Sequence, residues 1–412
     1  MASSTPTVLA TRDSMARTTI KSAHGPTTLP AHQAANQFIP SVEVVRNFSA
    51  STTGGWGTYS EFVLEVSQLP HIVDDITLAL TFGPATKTGG TYIGFCNDAA
   101  FLARMVEVSV GSELLVTMYP EAQYMRRVLH KTAEQKSLLL VAAGNDTAAH
   151  RRTNAAAGQT LLLPLRIPFV GRYGYFAGQQ SAQLRIKVYH AALSDVVQTD
   201  GTVPVVPINA VALNVSGRNY INGANVGALI ATQKKLGSVS ERFLDIVQQQ
   251  FTLVSGSANY TLQTTNFNGH FDHLLFVVRA ASSVGTPLAN APDAFLAVQS
   301  YSLSDGAGNV VLPSTSSAYA LGPYTSKYVT GNGMDNGDSS QKNIYPVWFS
   351  SRPEEALLKG TAHGSYKMTG VDKINIVFAA ATSANYVLDV IGYVQSQISA
   401  DANGNVKKAV VV

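Results

Sequence analysis

Apolar and polar residues alternate with a period of two along most of this 412-residue chain, and that pattern narrows its folds sharply. Phe62, Leu64 and Val66 alternate with Glu61, Val63 and Glu65, and Ile76, Leu78, Leu80 and Phe82 alternate with Thr77, Ala79 and Thr81. Val106, Val108 and Val110 alternate with Glu107 and Ser109, and Leu184, Ile186 and Val188 with Arg185 and Lys187. Successive side chains of a strand point to opposite faces, so each row has one side for a core and one for the outside. Such rows describe half-buried antiparallel strands, not the continuous apolar runs of a parallel sheet. Turn chemistry agrees. Asn-Gly occurs at 222, 268, 332, 336 and 403, and Asp-Gly at 200 and 305. With 33 glycines, this is the punctuation of many strands joined by tight turns. The predicted class is all-β with few, short helices in loops. One is expected from Pro120 to Lys131, with Tyr124, Met125, Val128 and Leu129 on one face, and a short turn after Asn97-Asp98 through Arg104.

The strand rows come in two sets, which suits a length too great for one ordinary core. Residues 1–36 are rich in Ala, Ser, Thr and Pro, show no hydrophobic period, and are expected to be a flexible arm. Residues 37–216 form the first predicted domain, 217–240 a polar connector, 241–398 the second domain and 399–412 a tail. Second-domain strands are expected near Phe251–Val254, Leu274–Val278, Ala297–Leu303, Val347–Phe349, Ile374–Phe378 and Tyr386–Val394. The stretch between Val311 and Asn343 is poor in hydrophobics and reads as a long exposed loop. No internal sequence repeat is visible.

Composition narrows function. Charged residues make up 13%, about half the share of about 25% usual in globular proteins. Either neighbouring copies cover much of the surface, or its polarity is carried by Ser, Thr and Asn; composition alone leaves both open. Twenty-nine Lys and Arg against 26 Asp and Glu are too balanced for a dedicated nucleic-acid binder. The single Cys96 excludes intrachain disulfides and cysteine-cluster metal sites, which suits a reducing cytoplasm. The start Met1-Ala2-Ser3-Ser4-Thr5-Pro6 is unlike a signal peptide, so the sequons at Asn47, Asn145, Asn214 and Asn259 are taken as chance. No apolar run reaches membrane-spanning length.

Candidate chemistry is thin. His270-Phe271-Asp272-His273 has metal-ligand residue types, but 270 and 272 should face one side of a strand and 273 the other, so strand entry is the favoured reading. Asn332, Asp335, Asn336 and Asp338 resemble a calcium loop without its closing glutamate, since Asn343 stands at position twelve. Glu354-Glu355 are adjacent carboxylates, whereas a glycosidase needs its pair facing across a substrate. Arg126-Arg127 and Arg151-Arg152 suit solvated faces or subunit contacts better than nucleic acid, and Cys96 beside Phe95 suits packing. No nucleophile-elbow, zincin, phosphate-loop or dinucleotide motif occurs. No catalytic residue, cofactor, metal or small-molecule substrate is expected.

The most specific stretch is 344–361: Ile344-Tyr345, then Phe349, then Pro353-Glu354-Glu355, then Gly360-Thr361. An aromatic strand runs into a proline-acidic corner, and a glycine turn starts the next strand, followed by Lys373-Ile374-Asn375-Ile376-Val377-Phe378. This pattern resembles the double jelly-roll major capsid proteins of large eukaryotic DNA viruses, virophages and polinton-like viruses. Asn266 through Val278 is similar to a second-barrel strand of that family, and Val106 through Leu115 with Tyr119 to a first-barrel strand, turn and helix. Where many members carry His-Gln-Pro-Ser, this chain has Ala356-Leu357-Leu358-Lys359.

The resemblance implies two consecutive eight-stranded antiparallel jelly rolls and a homotrimer of pseudo-hexameric outline that tiles an icosahedral virion shell. It also implies partners: further copies of itself, minor capsid and penton proteins, and an inner membrane or genome met through the N-terminal arm. The motif residues would be structural, with Glu354 and Glu355 holding a turn or subunit contact, and the Lys407–Val412 tail is expected to add to a neighbour's sheet edge. The rival readings are a minor capsid or turret protein, and a jelly-roll carbohydrate-binding protein or glycoside hydrolase. The last should show a carboxylate pair on facing strands and tryptophans lining a cleft, and this chain has only Trp56 and Trp348 and no obvious pair.

Overall fold

The structure is a computed structural model; it describes residues 17–22, 25–30, 41–86, 89–90, 93–95, 99–130, 142, 148–170, 175–221, 238–286, 290–328, 342–351, 364–401 and 403–411. An N-terminal hairpin pairs β1 (Arg17–Ser22) with β2 (Gly25–Pro30). This pairing lies inside the expected arm, where no hydrophobic period announced it.

The first barrel contains β3 (Ser41–Ser49), β4 (Tyr59–Leu64), β5 (Ile72–Phe82), β6 (Ile93–Phe95), β7 (Ala103–Val110), β8 (Glu113–Met118), β9 (Gln159–Leu165), β10 (Tyr175–Phe176), β11 (Leu184–His190), β12 (Val197–Thr199) and β13 (Ile208–Tyr220). Helix α1 (Pro120–His130) follows β8, and α2 (Ala148–Ala157) precedes β9. The second barrel contains β14 (Ser238–Leu253), β15 (Asn259–Gln263), β16 (Asn268–Ala280), β17 (Ser300–Ser304), β18 (Val310–Ser316), β19 (Tyr345–Trp348), β20 (Tyr366–Thr369), β21 (Lys373–Val377), β22 (Tyr386–Asp401) and β23 (Val406–Val410).

Sheet order shows a repeat that the sequence hides. The first barrel pairs β3-β13-β5-β9 in one sheet and β4-β11-β7-β8 in the other. The second pairs β14-β22-β16-β19 and β15-β21-β17-β18. With the short accessory strands set aside, both barrels read 1-8-3-6 and 2-7-4-5 in chain order. That order is the jelly roll, two facing antiparallel sheets with Greek-key connections. The predicted class and the two eight-stranded jelly rolls are what the molecule contains.

The alternating rows do what their period requires. In β5, Ile76, Leu78, Leu80 and Phe82 are buried while Asp75, Thr77, Ala79 and Thr81 stay partly accessible. The same holds for Val106, Val108 and Val110 in β7 and for Leu184, Ile186 and Val188 in β11. Helix α1 buries Tyr124, Met125, Val128 and Leu129, as its spacing predicted. Two turns share an Asp-x-x-Gly-Asn device. Asp305 accepts from the backbone N–H and the side-chain amide of Asn309, and Asp401 does the same with Asn405. Each closes on a glycine at positive φ, Gly308 or Gly404, where a side chain would be strained.

Some element ends differ from expectation. β13 runs on through Tyr220 and β14 already begins at Ser238, so both enter the stretch read as connector. The turn before β7 spans only Ala99–Leu102, and β7 starts at Ala103. The C-terminal segment is a correction. β23 pairs antiparallel with β22 of its own chain (Ser396↔Val410 through Ala400↔Val406), so that stretch of the tail is already spent inside the molecule.

Candidate structural site: the seam between the barrels

The sheet β14-β22-β16-β19 is apolar on its outer face as well as its inner one. In β16, Leu274, Phe276 and Val278 enter the second-barrel core, while Leu275 and Val277 join a cluster continuous with the first barrel. β22 repeats this, with Leu388, Val390 and Val394 turned inward and Ile391 and Tyr393 turned to the first barrel. A strand buried on both faces loses its alternation, which is why Leu274 through Val278 reads as one apolar run. From the first barrel, Tyr124 of α1 meets Phe295 edge-on at 5.8 Å, and Phe169 meets Phe243 at 6.1 Å.

Buried charge crosses the same seam. Arg279 of β16 reaches Glu121 of α1 at 2.9 Å and Asp389 of β22 at 3.1 Å. The Asp389 carboxylate also accepts from the amides of Gln248 (3.1 Å) and Gln250 (2.8 Å). Burial, then the nearby Asp389 carboxylate, pushes the Glu121 pKa up, while Arg279 opposes the rise. One guanidinium therefore serves two buried carboxylates from different barrels. Nearby, the Tyr124 hydroxyl donates to Asp293, which also pairs with Lys342 at 3.4 Å. Asn290 donates its amide to the carbonyls of Ser194 and Val197, both at 2.6 Å.

The C-terminal hairpin is a second staple. The Lys408 ammonium pairs with Asp245 at 2.8 Å, and its backbone N–H donates to Glu113 of β8 at 3.0 Å. Burial raises the Asp245 pKa, and Lys408 pulls against that rise. At the turn, the carbonyl of Gly404 accepts from the N–H and hydroxyl of Ser181 in the first barrel.

The His270–His273 cluster needs a correction. A register shift between Phe271 and His273 places a bulge in β16, and Asp272 and His273 converge instead of diverging. The His273 Nδ1 lies 2.8 Å from the Asp272 carboxylate, both fully buried. The imidazole stacks on Tyr393 at 4.1 Å and lies 5.0 Å from Trp348, on the seam side of the sheet. Burial pushes the Tyr393 hydroxyl up to about 12. His270 stands apart, with its Nδ1 3.1 Å from the Ser365 hydroxyl. Among the described residues no three His, Cys, Asp or Glu side chains converge as a metal site.

The 344–361 motif begins where seam and core meet. Ile344 is buried in the seam cluster. Tyr345 is fully buried in the second core; its hydroxyl accepts from the Val298 N–H at 3.0 Å and shares a 3.0 Å hydrogen bond with Ser317. Its ring lies 5.2 Å from Phe276 and 5.7 Å from Tyr301. Phe349 packs on Tyr366, and its N–H donates to the Asp272 carbonyl. Pro353, Glu354, Glu355, Gly360 and Thr361 lie outside the described residues, as do Cys96 and the Asn332–Asp338 loop. Arg151 and Arg152 sit on α2, and Arg126 donates to the Arg166 carbonyl at 3.3 Å.

No protein-family model and no curated protein matches the sequence. Solved structures do match in shape. PBCV-1 VP54, as fitted into a reconstruction of the virophage Sputnik, superposes with a TM-score of 0.65 at 9% identity, over 90% of this chain and 97% of that one. The Faustovirus major capsid protein gives 0.66 at 8% identity, over 87% and 90% of the two chains. The Sputnik virophage structure gives 0.58 at 10% identity, over 90% and 89%. The fold is the double jelly roll of viral major capsid proteins. Sequence reasoning found this double jelly roll but missed Glu121, Arg279 and Asp389, which are scattered singly along the chain. The signal available was a lone charge ending or interrupting a buried apolar run, as Arg279 follows Leu274–Val278 and Asp389 sits between Leu388 and Val390.

Proposed function

We propose that this chain is a major capsid protein whose homotrimers, pseudo-hexameric in outline, tile the facets of an icosahedral viral shell. The seam carries the proposal. Two jelly rolls of identical strand order share one continuous apolar cluster, one ionic staple of Glu121, Arg279 and Asp389, and a C-terminal clasp, which supports their acting as one block. A rigid two-barrel block is what edge-to-edge tiling requires, and a low charge density limits repulsion between packed copies.

In this reading the chain's place is the virion shell, and its partners are other copies, minor capsid and penton proteins, and a membrane or genome met by the N-terminal segment. The motif residues Ile344, Tyr345, Phe349, Pro353, Glu354, Glu355, Gly360 and Thr361 act in folding and assembly, not in turnover. The buried Asp389, Glu121 and Asp245 and the partly buried Asp293 are each engaged by a Lys or Arg side chain, which supports a structural role for these carboxylates. Light scattering on the purified protein should give three times 43.7 kDa, with hexagonal outlines in negative stain. A stable monomer at micromolar concentration would overturn the proposal.

A further inference from the structure

We infer that the seam face of the second barrel binds a pair of buried water molecules in a site lined by Asp272, His273, Trp348 and Gln395. The motivating observation is a group of polar atoms shut away from solvent. Asp272 Oδ2, His273 Nε2, Trp348 Nε1 and Gln395 Nε2 are all buried, and none has a hydrogen-bond partner among the described residues. Buried polar groups in folded proteins are nearly always paired, with protein or with ordered water. One left bare costs its full desolvation, so several gathered in one place mark a ligand.

The sheet gathers them. In the strand order β22-β16-β19, His273 is the cross-strand neighbour of Tyr393 on one side and of Trp348 on the other. The imidazole ring centre lies 4.1 Å from that of Tyr393 and 5.0 Å from that of Trp348. Gln395 follows Tyr393 by two residues on β22, and residues two apart on a strand share a face. The bulge between Phe271 and His273 brings Asp272 to the imidazole, where Oδ1 engages Nδ1 and Oδ2 is left over. Without that bulge the carboxylate would face the other way.

The chemistry of the four atoms specifies what they hold. The Trp348 indole N–H only donates, and so does the Gln395 amide nitrogen. A carboxylate only accepts, so Nδ1 of His273 carries the proton toward Asp272, and the neutral ring presents Nε2 as an acceptor. Two donors and two acceptors that do not reach one another need a molecule that both accepts and donates. A cation would meet the two N–H dipoles, and an anion would meet the Asp272 carboxylate. Among the described residues no third His, Cys, Asp or Glu joins to ligate a metal. Water fits, since a buried water makes about three hydrogen bonds to groups of this kind. One water accepts from Trp348 and donates to His273; the other accepts from Gln395 and donates to Asp272. The pair ties β19, β16 and β22 together on the face that meets the first barrel, and a satisfied polar network in an apolar seam fixes how the two surfaces register.

The test is a map of the full chain, by crystallography or electron cryo-microscopy, fine enough to show ordered solvent. Solvent peaks are expected about 2.7–3.2 Å from Trp348 Nε1 and His273 Nε2, and from Gln395 Nε2 and Asp272 Oδ2. Direct hydrogen bonds among these side chains, or a dry site, would overturn the inference. A second arm works in solution with isotope-labelled indole nitrogens. The chain has only Trp56 and Trp348, so replacing either with Phe assigns both signals. The Trp348 indole proton should show an Overhauser cross-peak to water with the sign of a long-held molecule. The Trp56 indole, which donates to the Val206 carbonyl at 2.7 Å, should show none of that sign. A Trp348 signal without that cross-peak would also overturn the site.

Discussion

Replacing Arg279 with methionine tests the seam most directly. The substitution keeps most of the aliphatic stem and removes the cation that pairs with both Glu121 and Asp389. Two carboxylates then face each other in a buried interface, and removing one partner of such a group costs about 3–5 kcal/mol. For a barrel of this size about 1 kcal/mol moves the melting midpoint by roughly 2–4 °C, so the expected loss is about 6–20 °C. The deficit should depend on pH with a definite sign. The folded-state pKa of Glu121 is raised by burial and by Asp389, so proton uptake favours the folded form, and that contribution is lost as pH rises through the raised value. Without Arg279 opposing it, the rise is larger, and the gap between variant and parent should narrow on going from neutral to mildly acid pH. Glu121→Gln mimics the protonated acid and should cost only about 1 kcal/mol, the order of one hydrogen bond. An apolar triple replacement of Glu121, Arg279 and Asp389 should land near the parent, because buried ion clusters are often replaceable by well-packed apolar groups. Scanning fluorimetry across this pH range, with urea melts for the midpoints, reads all of this. An Arg279→Met protein that melts with the parent, or whose deficit grows on acidification, would refute the reasoning.

Three further outcomes follow from other parts of the molecule. His190 is buried, 2.8 Å from the Ser60 hydroxyl, and burial lowers its pKa from 6.5 to about 4. The unfolded chain takes up that proton first, so stability should fall as pH drops from 6.5 towards 4, and His190→Gln should flatten the slope in urea melts. A methyl group at Gly392 would collide with the Phe271 ring, so Gly392→Ala should cost about 1–3 kcal/mol in the same melts, with Gly55→Ala, where no atom crowds the added carbon and φ is not positive, as the control for backbone effects. Truncation after Asp401 removes β23 and strands the buried Asp245; faster amide exchange in β22 and β8 should follow, and unchanged exchange would show that the hairpin clasps nothing.

The parts of this fold legible from sequence are those where one face of a strand meets a core and the other meets solvent. β5, β7 and β11 show that alternation, and α1 shows its helical counterpart. Legibility fails where the second face is also covered. Leu274–Val278 looks like an uninterrupted apolar run, and Val387–Val394 like one broken only by Asp389 and Gly392, because half of each is barrel core and half is seam. Nothing local separates those halves, since the partner surface comes from α1, more than a hundred residues away. The bulge in β16 is a second kind of failure. Strict period two sends Asp272 and His273 to opposite faces, and one inserted residue brings them within 2.8 Å. The C-terminal strand is a third. Val406–Val410 has the alternation and charge of a free edge-seeking strand, and whether it pairs at home or abroad depends on the Asp401–Asn405 turn. That turn repeats the device at Asp305–Asn309, a closed hairpin within the same chain, so the pairing at home was written in residues already recognised as turn formers.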